Sequence, residues 1–150
     1  MIDQSLSKHF TLTEATLSQT AARHGIPNEP DELVVTNMKQ AAEHLELVRE
    51  ELNTEILVSS WFRCLELEKL IGGSGRPNGH SSGWCIDFTA KGYTPYEVCQ
   101  SILDAGTKFD QLIFEGTWAH ISFHPAMRQM VLTARFTPGK PTVYVKGLQQ

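Results

Sequence analysis

Between Asp31 and Leu52, apolar residues recur at Val34, Met38, Ala41, Leu45, Val48 and Leu52, in alternating steps of four and three. Residues so spaced lie on one side of an α-helix, so the run makes one continuous apolar stripe along about six turns. A stripe that long must be covered. It reads as the core-facing side of a scaffold helix, with docking of a partner helix as the alternative. His44 lies off the stripe, near Glu43 and Glu46, and reads as a solvated surface histidine.

The covering layer is written in period two. In the run after Gly83, Trp84, Ile86 and Phe88 point one way on a strand and Cys85, Asp87 and Thr89 the other. In Trp118 to Phe123, Ala119, Ile121 and Phe123 share one face, and Trp118, His120 and Ser122 the opposite one. Phe109 to Phe114 reads as a strand that reaches the second of these through the tight connection Glu115-Gly116-Thr117, as a hairpin. Ile56 to Ser59 is a buried-strand candidate, and Met130–Phe136 and Thr142–Val145 complete the set. Helices at the start followed by a mostly antiparallel sheet make an α+β domain.

Local signals punctuate the rest. Thr11 and Glu14 are spaced as a capping box opening a helix that Gly25 ends, and Gly25 to Pro30 is a turn. Leu65 to Ile71 is a short helical segment. Thr94-Pro95-Tyr96-Glu97 opens a helix with Val98, Ile102 and Leu103 on its buried side and Gly106 as its stop.

With 150 residues, no repeat and no shift in composition, the chain reads as one domain spanning 1–150. Cys64, Cys85 and Cys99 are odd in number and lack C-x-x-C spacing, which points to buried or free thiols in a reducing compartment. No run approaches the ~20 apolar residues of a membrane span, and none at the N-terminus has signal-peptide length, so synthesis in the cytoplasm without membrane insertion is expected. A net charge of −4 with scattered basic residues argues against a nucleic-acid partner.

His80 and Asp87, flanking Gly83, can share one metal, and His120 is the natural third ligand. Two imidazoles and one carboxylate leave a fourth position for water, the arrangement of a catalytic zinc site. The alternative is bland: a loop histidine, a hydrogen-bonding carboxylate and a partly buried strand histidine. Arg63, after the candidate strand at 56–59, is either a surface arginine or a guanidinium fork for a substrate carboxylate. The stretch Gly72 to Gly79 lacks a Gly-Lys-Ser/Thr ending and reads as a tight backbone turn, not a phosphate loop.

The pattern His80-x-x-Gly83-x-Cys85-x-Asp87 followed by Trp118-Ala119-His120 resembles the zinc D-alanyl-D-alanine carboxypeptidases and phage L-alanyl-D-glutamate endopeptidases of the hedgehog/DD-peptidase superfamily. The segments Leu6 to Glu14, Ser18 to Ala21 and Ser60 to Arg63 resemble the phage-type members, so nearly the whole chain is covered. The resemblance implies zinc on His80, Asp87 and His120, and Arg63 as an aid to substrate or oxyanion. Asn78-Gly79-His80 stands where relatives have Ser-x-His, Cys85 where they have alanine, and Trp61 where they have glycine. Thr117 occupies the usual general-base position; Glu115 is the nearest substitute and Asp110 a more distant one.

What the resemblance implies is zinc-dependent hydrolysis of peptidoglycan stem peptides by a monomeric phage or prophage lysis enzyme, acting on the cell wall after release or from the virion. The rival reading is a catalytically silent, zinc-bearing structural or peptide-binding module of a phage particle. Cys85, on the same strand face as Asp87, is expected to crowd the site, become oxidised or compete as a soft ligand.

Overall fold

A computed structural model describes residues 3–72 and 79–150. Most of the glycine-rich turn, residues 73–78 with Asn78, lies outside the described residues. The helices are α1 (Leu12–Thr16), α2 (Gln19–Arg23), α3 (Glu32–Leu52), α4 (Leu65–Leu70) and α5 (Pro95–Asp104). The strands are β1 (Ile56–Ser60), β2 (Cys85–Ala90), β3 (Gln111–Phe114), β4 (Ala119–Ser122), β5 (Met130–Arg135) and β6 (Val143–Lys146). They form one sheet in the order β1-β2-β4-β3-β5-β6, antiparallel except where β3 meets β5. The expected α+β architecture is the observed one.

The stripe on α3 does what its period requires. Met38, Ala41, Leu45, Val48 and Leu52 are all buried, and Asp31 caps the helix by accepting from the backbone N–H of Val34. α5 lies against α3 and against β2, β3 and β4, so the apolar face of the central strands, with Ile86, Phe88, Ala119, Ile121 and Leu112, is sealed by helices. Thr94 and Glu97 form the full capping box that opens α5. The opposite face of the same strands is left to line a cleft.

Three local expectations are corrected. The first helix is two: Leu17 is extended, and Ser18 starts α2 by accepting from Ala21 N–H, so local capping chemistry overrides the weak apolar pattern. β1 is an edge strand with Leu57 exposed, because it pairs only with β2. His44 is half-buried, its ring stacked on Phe123 at 5.1 Å, where the expectation was full solvation.

Candidate metal centre

The register of two strands creates the site. Asp87 on β2 stands directly opposite His120 on β4, and both side chains face away from the helices. His120 Nδ1 lies 2.8 Å from one oxygen of Asp87, and His80 Nε2 lies 3.4 Å from the other. The three ligating atoms all fall within 4.8 Å of one another. Ligands of a tetrahedral zinc, each about 2.0–2.1 Å from the metal, stand roughly 3.3 Å apart, so the donor set and spacing fit such an ion. His80, Asp87 and His120 could hold a metal.

His80 comes from the short 3₁₀ turn His80–Ser82, and its neighbours fix its ring. His80 Nδ1 is 2.7 Å from the Trp61 carbonyl, which accepts its proton and leaves Nε2 as the ligating nitrogen. Trp61 in turn donates from its indole to the Gly83 carbonyl at 2.8 Å, so the tryptophan found in place of glycine braces the turn from both ends. Gly83 has φ of +86°, and a Cβ there would meet Met38 Cγ at 2.7 Å and the Val34 carbonyl at 3.0 Å. Only glycine lets α3 press this closely on the turn.

A bulge in β1 between Val58 and Ser60, opposite the segment containing Asp87, turns the chain toward His80. The segment that follows is tied by Asn28, whose side-chain amide donates to the Thr16 and Phe62 carbonyls and whose oxygen accepts from Cys64 N–H. Asn28 escaped sequence reasoning, since its partners are brought to it only by the fold. Arg63, held on this loop, donates from Nε to buried Glu68 on α4 at 2.7 Å and lines the cleft.

The cleft has a volume of about 800 Å³ and is lined by the metal trio, Cys85, Arg63, Glu115 and Trp118 among others. Glu115, at the β3–β4 turn, is 9 % exposed. Burial raises its pKa; the charge of His120 pulls it back and that of Asp87 pushes it up again. Thr117 is exposed on the same turn. Asp110, the distant alternative base, is unsuited: its two oxygens are taken by Arg128 Nε and Nη2, both at 2.9 Å, and that pairing keeps its pKa low.

Around the trio the charges are coupled. Burial opposes ionisation of Asp87, but hydrogen bonds from His120 and His80 outweigh it and hold the carboxyl well below its usual range. Burial likewise opposes the His120 cation, while Asp87 and then Cys85 as hydrogen-bond partners push its pKa up to about 10. Cys85 thus sits beside His120, on the face expected, but outside the three-residue cluster whose atoms converge. Among the described residues no helix is long and apolar enough to cross a membrane.

A family model described as Peptidase M15 matches residues 8–122, which include all three candidate ligands, Arg63 and Glu115. No curated protein matches the sequence.

Proposed function

The chain belongs to the peptidase M15 family, and from that membership and the geometry of the cleft we propose that it is a zinc peptidase acting on the stem peptides of peptidoglycan, in the manner of a phage or prophage endolysin. One observation carries the reading: two imidazoles and a carboxylate converge in a cleft that also holds a buried glutamate of raised pKa and an arginine. Membership indicates a metallopeptidase; zinc and the peptidoglycan substrate are our assignment, resting on the donor set and on the likeness to the stem-peptide peptidases.

His80 through Nε2, Asp87 through a carboxylate oxygen and His120 through Nδ1 would hold the zinc. When bound, zinc supplies Lewis acidity, acidifying water and polarising a carbonyl oxygen. Glu115 acts as general base and then acid: its carboxylate takes a proton from the attacking water and returns it to the leaving amine. A raised pKa suits both transfers near neutral pH. Arg63, fixed through Nε by Glu68 and through Nη1 by the Ser60 hydroxyl at 3.4 Å, directs its Nη2 N–H groups at the developing oxyanion or at a carboxylate of the peptide. The Trp118 indole N–H, buried and without a protein partner among the described residues, offers one further donor in the cleft.

Incubating the zinc-loaded protein with purified peptidoglycan should release new free amino groups, and EDTA should stop it. A second reading, a zinc-bearing but silent module, is favoured by Thr117 standing at the usual base position. It predicts stoichiometric zinc with no amino groups released.

A further inference from the structure

Residues beyond the family match shape the far side of the cleft, and one of them is held with unusual care. Arg128 follows β4 in the tight turn before β5 and lines the same cleft as the metal trio. Its Nε and Nη2 clamp both oxygens of Asp110, which is only 1 % exposed, while the arginine side chain itself is 43 % exposed. Asp110 also accepts from the Arg128 backbone N–H. The flanking residues Met127 and Gln129 have φ of 43° and 55°, left-handed conformations that side-chain-bearing residues rarely adopt. Gln129 is fastened to Phe109 through two hydrogen bonds, its N–H donating to the Phe109 carbonyl and its side-chain oxygen accepting from the Phe109 N–H. Strain retained on both sides of one residue, in a segment tied down at several points, marks a conformation kept for what it presents.

What it presents is a guanidinium whose third nitrogen, Nη1, is not committed to Asp110. Strand order sets its place. Arg63 leaves the sheet from β1 and Arg128 enters it at β5, with the ligand strands β2 and β4 between them. β1 and β5 are four strand spacings apart, about 19 Å at the backbone. Two long side chains reaching inward leave a gap suited to a few residues of extended peptide. Each arginine is backed by a buried carboxylate, Glu68 for one and Asp110 for the other.

We propose that Arg128 is a specificity-determining residue that binds a carboxylate of the peptide substrate, on the opposite flank of the metal trio from Arg63. The proposal rests on the peptidase reading for the identity of the ligand: a short peptide carrying a free carboxylate close to the scissile bond. Such a contact replaces water with a charge-assisted hydrogen bond, which discriminates the acid from its carboxamide by about 10- to 100-fold.

The test uses the tripeptide L-Ala-γ-D-Glu-L-Lys and its twin with the glutamate α-carboxylate converted to carboxamide. Calorimetric affinities are measured on zinc-loaded Glu115→Gln protein, so that the peptide survives the measurement. Expected is a preference of about 10-fold or more for the acid, lost on adding Arg128→Gln and largely kept on adding Arg128→Lys. Because Arg128→Gln strands the buried Asp110, the pair Asp110→Asn with Arg128→Gln is measured alongside, keeping a hydrogen-bonded but neutral contact. A purely structural tether predicts altered melting with the acid preference intact in that pair. An unchanged preference, or no preference or binding in the parent, overturns the proposal. Hydrolysis reports separately on the peptidase reading: no amino groups released by the wild type from purified peptidoglycan, with an Arg128-dependent preference in binding, sinks that reading and leaves the carboxylate site standing.

Discussion

The two faces of β2 and β4 follow different rules. Toward the helices, Ile86, Phe88, Ala119 and Ile121 are wholly buried and interact through volume alone. Toward the cleft, Asp87 and His120 occupy the opposite positions of the same strands, and each is held by charge and hydrogen bonding. The difference teaches that the helix-covered face makes the domain fold, while the cleft face, where burial opposes ionisation of Glu115, is kept for chemistry. A substitution on one face should move stability, and one on the other should move activity.

The sharpest way to break that comparison is Glu115→Gln. Loss of a positioned acid–base group costs about 10²- to 10⁴-fold in turnover, and here zinc content should not change; full retained activity would remove Glu115 from the mechanism. The same variant should be more stable than the wild type in metal-free form. Glu115 has a folded pKa above its ordinary value of 4.5. Below that ordinary value it is protonated in both folded and unfolded states, and no penalty exists. As pH rises through the folded pKa, the folded carboxylate is ionised while buried, and stability is lost. The melting advantage of Glu115→Gln should therefore be smallest below the ordinary value of 4.5, grow as pH rises above it and level off once the folded carboxyl has ionised; a pH-independent difference would contradict this account.

Phe88→Ala probes the other face. Emptying a fully buried aromatic position should cost about 3–5 kcal/mol in denaturant unfolding, with zinc still bound by whatever fraction remains folded. Gly83→Ala should do some of both, since a Cβ at this φ meets Met38 and the Val34 backbone next to the His80 turn. A loss of about 1–3 kcal/mol together with weaker zinc binding is expected; normal affinity at lowered stability would uncouple the turn from the ligand. The smallest effect is assigned to Glu68→Gln, which keeps a hydrogen-bond acceptor for Arg63 but removes its charge. A fall of about tenfold in kcat/KM without change in zinc content is the expected result.

How much of this could be read from the chain follows the same division. The α3 stripe and the alternation in β2 and β4 are periodic, so both the helix-facing residues and the exit of Asp87 and His120 on the other face were legible. So was the hairpin that carries Glu115. The brace of Trp61 on His80, the three bonds of Asn28 and the clamp of Arg128 on Asp110 were not. Each joins residues 12 or more positions apart, or depends on a close approach that no local pattern encodes. The split between α1 and α2 was missed because its apolar pattern was weak and Ser18 capped a second start. The exposure of Leu57 was missed because strand order, not composition, decides which strand lies at an edge.

The central claim is that one metal ion is held between β2 and β4 by His80, Asp87 and His120. Elemental analysis of the purified protein after zinc loading and desalting tests it most directly, run on wild type and His120→Ala side by side. The account predicts one zinc per wild-type chain and a large loss in His120→Ala, with the folded state of both confirmed by circular dichroism. Equal zinc in the two proteins would contradict it.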